Sequence, residues 1–167
     1  MVANLRDGTN AALPASGRRS LIWRKTFPGA LDQPGRAREE LANALRASPD
    51  LDGTLLMALD DILLVTSELC TNAVVHTRSG HQGGTFKVEA TTPDGESLLV
   101  AVADGGAPEG PRLLVPAQAD IHFRGLYLVN ALSNDFGAYG DAEGRTVWAL
   151  FTRSGNGRAA PCPGEPC

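Results

Sequence analysis

The stretch Leu64–His76 has the sequence LVTSELCTNAVVH and belongs to a longer segment in which apolar residues recur every three or four positions. That spacing predicts an amphipathic helix from about Thr54 to His76. Glu68 and Asn72 are four residues apart, so a helix places their side chains on one face, one turn above the other. A carboxylate can accept a proton or orient a hydroxyl, and an amide oxygen can bind Mg²⁺. The pair also fits an ordinary solvated stripe on an amphipathic helix.

Two glycine-containing motifs follow further along the chain. The first motif is Val100–Pro108, in which an apolar strand is followed by Asp104 and two glycines, the second of which is Gly106. An unpaired carboxylate at the end of a buried strand is costly, so Asp104 should meet a donor, although Asp-Gly-Gly equally suits the start of a loop. The second motif is Phe123–Val129. In it, Gly125 opens a predicted helix, where it could present free amides to phosphate oxygens or simply cap the helix.

The order of these motifs, Glu-x-x-x-Asn, Asp-x-Gly and Gly-Leu-x-Leu-Val, resembles the N, G1 and G2 boxes of the GHKL superfamily of ATP-binding domains. With the closing segment Gly144–Leu150 (GRTVWAL), the chain is more similar to the small anti-sigma-factor serine kinases of actinobacterial type. The similarity extends from Phe27 to Phe151. It implies the Bergerat, or histidine-kinase-like ATPase, fold: a two-layer α/β (α+β) sandwich whose mixed, largely antiparallel sheet is covered on one face by helices.

The resemblance also implies the cofactors and the residues that bind them. ATP and Mg²⁺ are the expected cofactors, with Glu68 as the catalytic carboxylate and Asn72 as the magnesium ligand. Asp104 matches the residue that accepts the adenine amino group. The other expected nucleotide-binding residues are Gly106, Arg124, Gly125, Leu126 and Thr146. The chain departs from the family at Phe123, where the G2 box usually has a further glycine.

These matches imply an ATP-binding regulatory protein, an anti-sigma factor with protein-serine kinase activity that phosphorylates an anti-sigma antagonist. The expected partners are a sigma factor, the antagonist or both, and a homodimer is a further possibility. Phe123 supports an alternative, a non-catalytic module of the same fold that binds nucleotide or protein and regulates transcription by sequestering its partner. A third hypothesis, a self-contained ATP hydrolase, would need a further domain to couple hydrolysis to work.

Composition sets outer limits on these hypotheses. A chain of 167 residues with 43% hydrophobic and 20% charged residues predicts one compact globular domain. The net charge of −4 disfavours direct binding to nucleic acid, because no basic patch is available to neutralise phosphates. No apolar run is long enough for a membrane span or a signal peptide, so a cytoplasmic location away from membranes is expected.

The predicted organisation is a flexible tail (1–19), one ATP-binding domain (20–152) and a second flexible tail (153–167). The predicted elements, besides the long helix, are an edge strand (23–27), a helix (33–46), strands (85–91 and 98–103), a helix (125–132) and a hairpin (135–139 and 145–152). The long loop between Gly105 and Arg124 is typical of an active-site lid. Val147 and Trp148 are expected in the core, and Cys70 is expected to be a packed thiol rather than a reactive one. No Cys-x-x-Cys or His-x-x-x-His spacing supports a zinc site.

Overall fold

The computed structural model of the protein describes residues 20–51, 53–107 and 124–153, with the side chain of Arg124 left out. In chain order its elements are β1 (Ser20–Pro28), α1 (Gln33–Ala47), α2 (Gly53–Met57), α3 (Leu59–His76), a 3₁₀ turn (Arg78–Gly80), β2 (Thr85–Thr92), β3 (Ser97–Asp104), α4 (Arg124–Leu132), β4 (Asp135–Gly140) and β5 (Arg145–Thr152). The two predicted tails, except for Arg153, and most of the predicted lid, including Phe123, lie outside the described residues.

The five described strands form one sheet in the order β1-β2-β3-β5-β4, and each neighbouring pair is antiparallel. The central strand is β3, which explains why its sequence is almost continuously apolar: it has a neighbour on both sides and buried residues along most of its length. Val88, Val102 and Val147 lie side by side across three strands. The predicted fold class, with a largely antiparallel sheet, is therefore confirmed.

The helices cover only one face of this sheet. On β2 and β3 that face carries apolar side chains such as Val88 and Val100, which pack with the helices into a single buried cluster. The other face carries the alternate residues, including Lys87 and Ala101. Val147 packs against the main cluster as expected. Trp148 is also buried, at 3% exposure, but it lies beside Ala101 on the face opposite the helices.

Two boundaries differ from the sequence-based expectation. The long predicted helix is divided at Ala58, whose φ of −91° and ψ of 11° separate α2 from α3. Asp60 and Asp61 then lie in the first turn of α3, where negative charge complements the helix dipole. The predicted edge strand is longer than expected, because β2 pairs with the whole of β1 across a register shift between Leu21 and Trp23. None of the described helices is long and apolar enough to cross a membrane.

Candidate functional site

The first part of the candidate site is the face of α3 that turns toward α4. This helix buries its apolar stripe against the sheet, including Ile62, Val65, Leu69 and Ala73. Glu68 and Asn72 lie beside that stripe and are half-buried. Burial raises the pKa of the Glu68 carboxyl above its ordinary value of 4.5. A carboxylate whose pKa moves toward neutrality is a better proton acceptor at physiological pH, so the environment suits the role of general base.

Gly125 brings the second motif onto the first. It is buried near the start of α4 and lies directly against the side chains of Glu68 and Asn72. A Cβ atom at this position would be 2.5 Å from Glu68 Oε2 and 3.6 Å from Asn72 Nδ2. The absence of a side chain is therefore what allows the carboxylate to approach the first turn of α4. Three residues from two separate motifs therefore meet at one place in the structure.

Asp104 and Gly106 form the next part of the site, at the end of β3. The backbone N–H of Gly106 donates to Asp104 Oδ1 at 2.7 Å, which supplies the donor that the sequence led us to expect. Burial raises the pKa of Asp104, while this hydrogen bond and the nearby charge of Arg145 act in the opposite direction. Gly106 has a φ of +69°, and a Cβ atom there would overlap the carbonyl oxygen of Ala142. Both its conformation and its packing therefore require glycine.

The 3₁₀ turn after α3 connects these two parts. Arg78 N–H donates to the carbonyl of Gly106 at 3.0 Å, and Gly105 N–H donates to Ser79 Oγ at 2.8 Å. The sequence predicts only that the long helix ends at about His76, and nothing in it indicates that the following segment contacts the end of β3. The one local signal is Thr77, whose hydroxyl accepts from Ser79 N–H at 3.1 Å and so caps the turn. That capping pattern indicates an ordered turn but not what the turn contacts.

Three other residues were expected to bind the nucleotide: Thr146, Leu126 and Arg124. Thr146 lines a shallow depression with Ala103 and Tyr139 on the face of the sheet opposite the helices, so the structure does not bring it to Glu68. Leu126 follows Gly125 in α4 and is half-buried. Arg124 begins α4, but its side chain lies outside the described part of the chain.

The residues around Gly125 suit a magnesium ion that arrives with a nucleotide. In the described residues no group of three or more His, Cys, Asp or Glu side chains is placed to hold a metal. Mg²⁺ in phosphate-transfer sites usually takes one or two protein oxygens and completes its octahedron with phosphate and water. Asn72, which lies with Glu68 against Gly125, has an amide oxygen that can supply such a ligand.

Cys70 plays no part in this chemistry. It is fully buried on the core side of α3, and burial raises the pKa of its thiol to about 12. A thiol in this environment remains protonated and unreactive, as expected for a packed cysteine.

Comparison with known proteins identifies the domain type. The family model of the histidine kinase-like ATPase domain matches residues 27–151. No curated protein matches the sequence. The fold is similar to the crystal structure of the RsbU and RsbW domains of Rv1364c from Mycobacterium tuberculosis, with a TM-score of 0.55 and 18% sequence identity. The match covers 78% of this chain and 32% of that one, so this chain spans about a third of the length of the solved protein.

Proposed function

Because the chain belongs to the histidine kinase-like ATPase domain family, we propose that it binds ATP with Mg²⁺ and transfers the γ-phosphoryl group to a serine of a partner protein. The proposed partner is an anti-sigma antagonist, with a sigma factor as the protein whose activity is controlled. The motif resemblance to anti-sigma-factor serine kinases and the structural similarity to a chain with an RsbW domain both favour this choice.

The observation that carries the proposal is the meeting of Glu68, Asn72 and Gly125. Their side chains and backbone converge on one point, within 3.6 Å of the position that a Cβ of Gly125 would take. A simple solvated stripe on α3 would leave the two polar side chains facing water. Instead, both side chains lie against Gly125, so the pair faces α4.

Phosphoryl transfer requires mainly positioning and neutralisation of charge, and the residues present can supply both. Glu68 would accept the proton of the attacking serine hydroxyl as the hydroxyl oxygen bonds to the γ-phosphorus and the bond to the ADP oxygen breaks. Asn72 would hold the magnesium ion, whose charge offsets that of the phosphates. Asp104 would accept a hydrogen bond from the adenine amino group. Gly106 would let the backbone at the end of β3 run close to the purine ring.

Two measurements test the proposal in sequence. Titration calorimetry of the wild type with ATP, with and without Mg²⁺, should show binding that Asp104→Asn weakens by about 1–3 kcal/mol, the range for losing one partner of a buried polar contact. Labelled ATP should then transfer phosphate to a candidate antagonist. Glu68→Gln should still bind ATP but transfer none, whereas Asn72→Ala should lose both properties. Absence of nucleotide binding by the wild type would refute the proposal.

The alternative function is a binding module of the same fold that holds a partner without phosphorylating it. Phe123, in place of a glycine that gives the phosphate loop its freedom, is the sequence feature that favours it. The two functions differ in one result. If the wild type binds ATP and a partner but labels no partner, and Glu68→Gln binds both equally well, the module is the correct description.

A further inference from the structure

Ser79 is the most enclosed polar residue of the candidate site, with an exposure of 1%. Its hydroxyl accepts a hydrogen bond from Gly105 N–H at 2.8 Å and donates one to the carbonyl of Thr85 at 2.7 Å. The Ser79 hydroxyl therefore links Gly105, which follows β3, to Thr85, the first residue of β2. Because Ser79 belongs to the turn that follows α3, it also ties both strands to the helix that carries Glu68 and Asn72.

Glycines surround the backbone of Ser79. A Cβ atom at Gly29 or at Gly84 would overlap the Ser79 carbonyl oxygen, and one at Gly105 would be 3.2 Å from the Ser79 nitrogen. Gly29 N–H also donates to the carbonyl of Gly84 at 2.9 Å. The position of the turn is thus fixed by close backbone packing that does not depend on the Ser79 hydroxyl. Removing the hydroxyl should leave this packing in place.

What the hydroxyl does hold is Gly105, the first residue of the short turn that presents Asp104. Gly105 is held by Ser79, and Gly106 donates to Asp104 Oδ1 at 2.7 Å. With Oδ1 engaged by the turn itself, the direction of Oδ2 follows from the conformation of these two glycines. Glycine has wide conformational freedom, so external hydrogen bonds are needed to hold a Gly-Gly turn in one conformation. The Ser79 hydroxyl restrains Gly105, and Arg78 N–H, which donates to the Gly106 carbonyl at 3.0 Å, restrains Gly106.

We propose that Ser79 is a positioning residue for base recognition: its hydroxyl holds the Gly105–Gly106 turn so that the Asp104 carboxylate is directed at an adenine amino group. Adenine offers a donor at this position and guanine offers an acceptor, so a correctly directed carboxylate accepts from the first and repels the second. Ser79 would therefore contribute to the preference for ATP over GTP without touching the nucleotide. The inference rests on the proposed nucleotide-binding function and goes beyond it.

The test is Ser79→Ala, with Ser97→Ala as the matched control. Ser97 is also a buried serine, at 6% exposure, and its hydroxyl donates to Asp94 Oδ2 at 3.0 Å, but it lies at the opposite end of β3 from Asp104. Calorimetry would give the dissociation constants of both variants for ATP and for GTP, and thermal unfolding without nucleotide would give their stabilities. If Ser79→Ala does not fold, Ser79→Cys keeps the volume of the side chain and weakens only its hydrogen bonds.

Ser79→Ala should weaken ATP binding roughly 5- to 30-fold, as expected for misdirecting one hydrogen bond between Asp104 and the adenine amino group, and should move the ratio of the two dissociation constants toward one. GTP binding should change little. Ser97→Ala should leave the ratio unchanged even if it lowers stability by the same amount. A Ser79→Ala variant that keeps the ATP preference of the wild type overturns the inference and leaves the proposed function intact. A wild type that binds neither nucleotide overturns both.

Discussion

Gly125→Ala is the substitution whose consequence can be worked out most directly from the geometry. The added methyl carbon would lie 2.5 Å from Glu68 Oε2, whereas non-bonded atoms settle at roughly 3.5 Å. The carboxylate must therefore retreat by about 1 Å. Glu68 is a flexible side chain and can do so, but it then leaves the place beside Asn72. A misplacement of this size typically lowers the rate of a positioned reaction by about 100-fold.

The same substitution should have little effect on folding. Gly125 is not among the four described glycines with positive φ, so its backbone accepts alanine. Alanine is favoured over glycine in a helix by up to about 1 kcal/mol, which opposes the cost of moving Glu68. The matched control is Gly35→Ala in α1, where the added methyl meets no atom within 4 Å apart from the adjacent backbone of its own helix. Gly35→Ala should stabilise the protein by roughly 0.5–1 kcal/mol and leave the site unchanged.

The assay is phosphoryl transfer from labelled ATP to the partner serine, with ATP affinity and the urea midpoint measured on the same preparations. Gly125→Ala should show a transfer rate near 1% of wild type, an unfolding free energy within about 1 kcal/mol of wild type, and a retained ability to bind ATP. Gly35→Ala should transfer at the wild-type rate. Wild-type transfer by Gly125→Ala would show that Glu68 does not act from the position it occupies in the structure.

Two further predictions concern stability. Leu41 is fully buried in the main cluster, so Leu41→Ala should lower the unfolding free energy in urea by about 2–5 kcal/mol, whereas Leu31→Ala, at a side chain that is 79% exposed, should change it by less than about 0.5 kcal/mol. Because burial raises the pKa of Glu68, its contribution to stability is full below about pH 4.5 and is lost as the pH rises through the folded-state pKa. Glu68→Gln should therefore melt higher than wild type at pH 7.5, with the advantage disappearing near pH 4; a lower melting temperature at pH 7.5 would contradict the cause assigned to the pKa.

The helical period made one part of the site predictable. A four-residue spacing fixes the shared face of Glu68 and Asn72 once α3 exists, because the geometry of a helix is local. What that face contacts is not local. The distance between Gly125 and the Glu68 side chain depends on how α4 packs against α3. It cannot be predicted from the spacing of residues along the sequence. The division at Ala58 was hidden for a related reason, since Leu55, Leu59 and Ile62 continue the apolar period across it.

The face of the sheet on which Thr146 lies could not be predicted from the alternation of apolar and polar residues along β5. In β5 the residues on both sides are apolar: Val147 and Ala149 face the helices, while Trp148 and Leu150 lie on the other face. A strand with two apolar faces has no pattern that fixes which set points inward, because a shift of one residue exchanges the two sets. Assigning Thr146 to the nucleotide therefore relied on resemblance alone. The structure places its side chain on the face opposite the helices.

The two carboxylates that the motifs singled out, Glu68 and Asp104, are also two whose pKa values burial raises in the described part of the chain. The motifs depend on spacing along the sequence, whereas burial depends on how the chain packs in three dimensions. The agreement therefore joins two independent observations. Charged groups held in partly buried sites lower stability at neutral pH and are typical of functional sites. A neutral replacement of Glu68 or Asp104 should therefore raise the free energy of unfolding while weakening phosphoryl transfer or ATP binding. A residue with a purely structural role would not show this combination of effects.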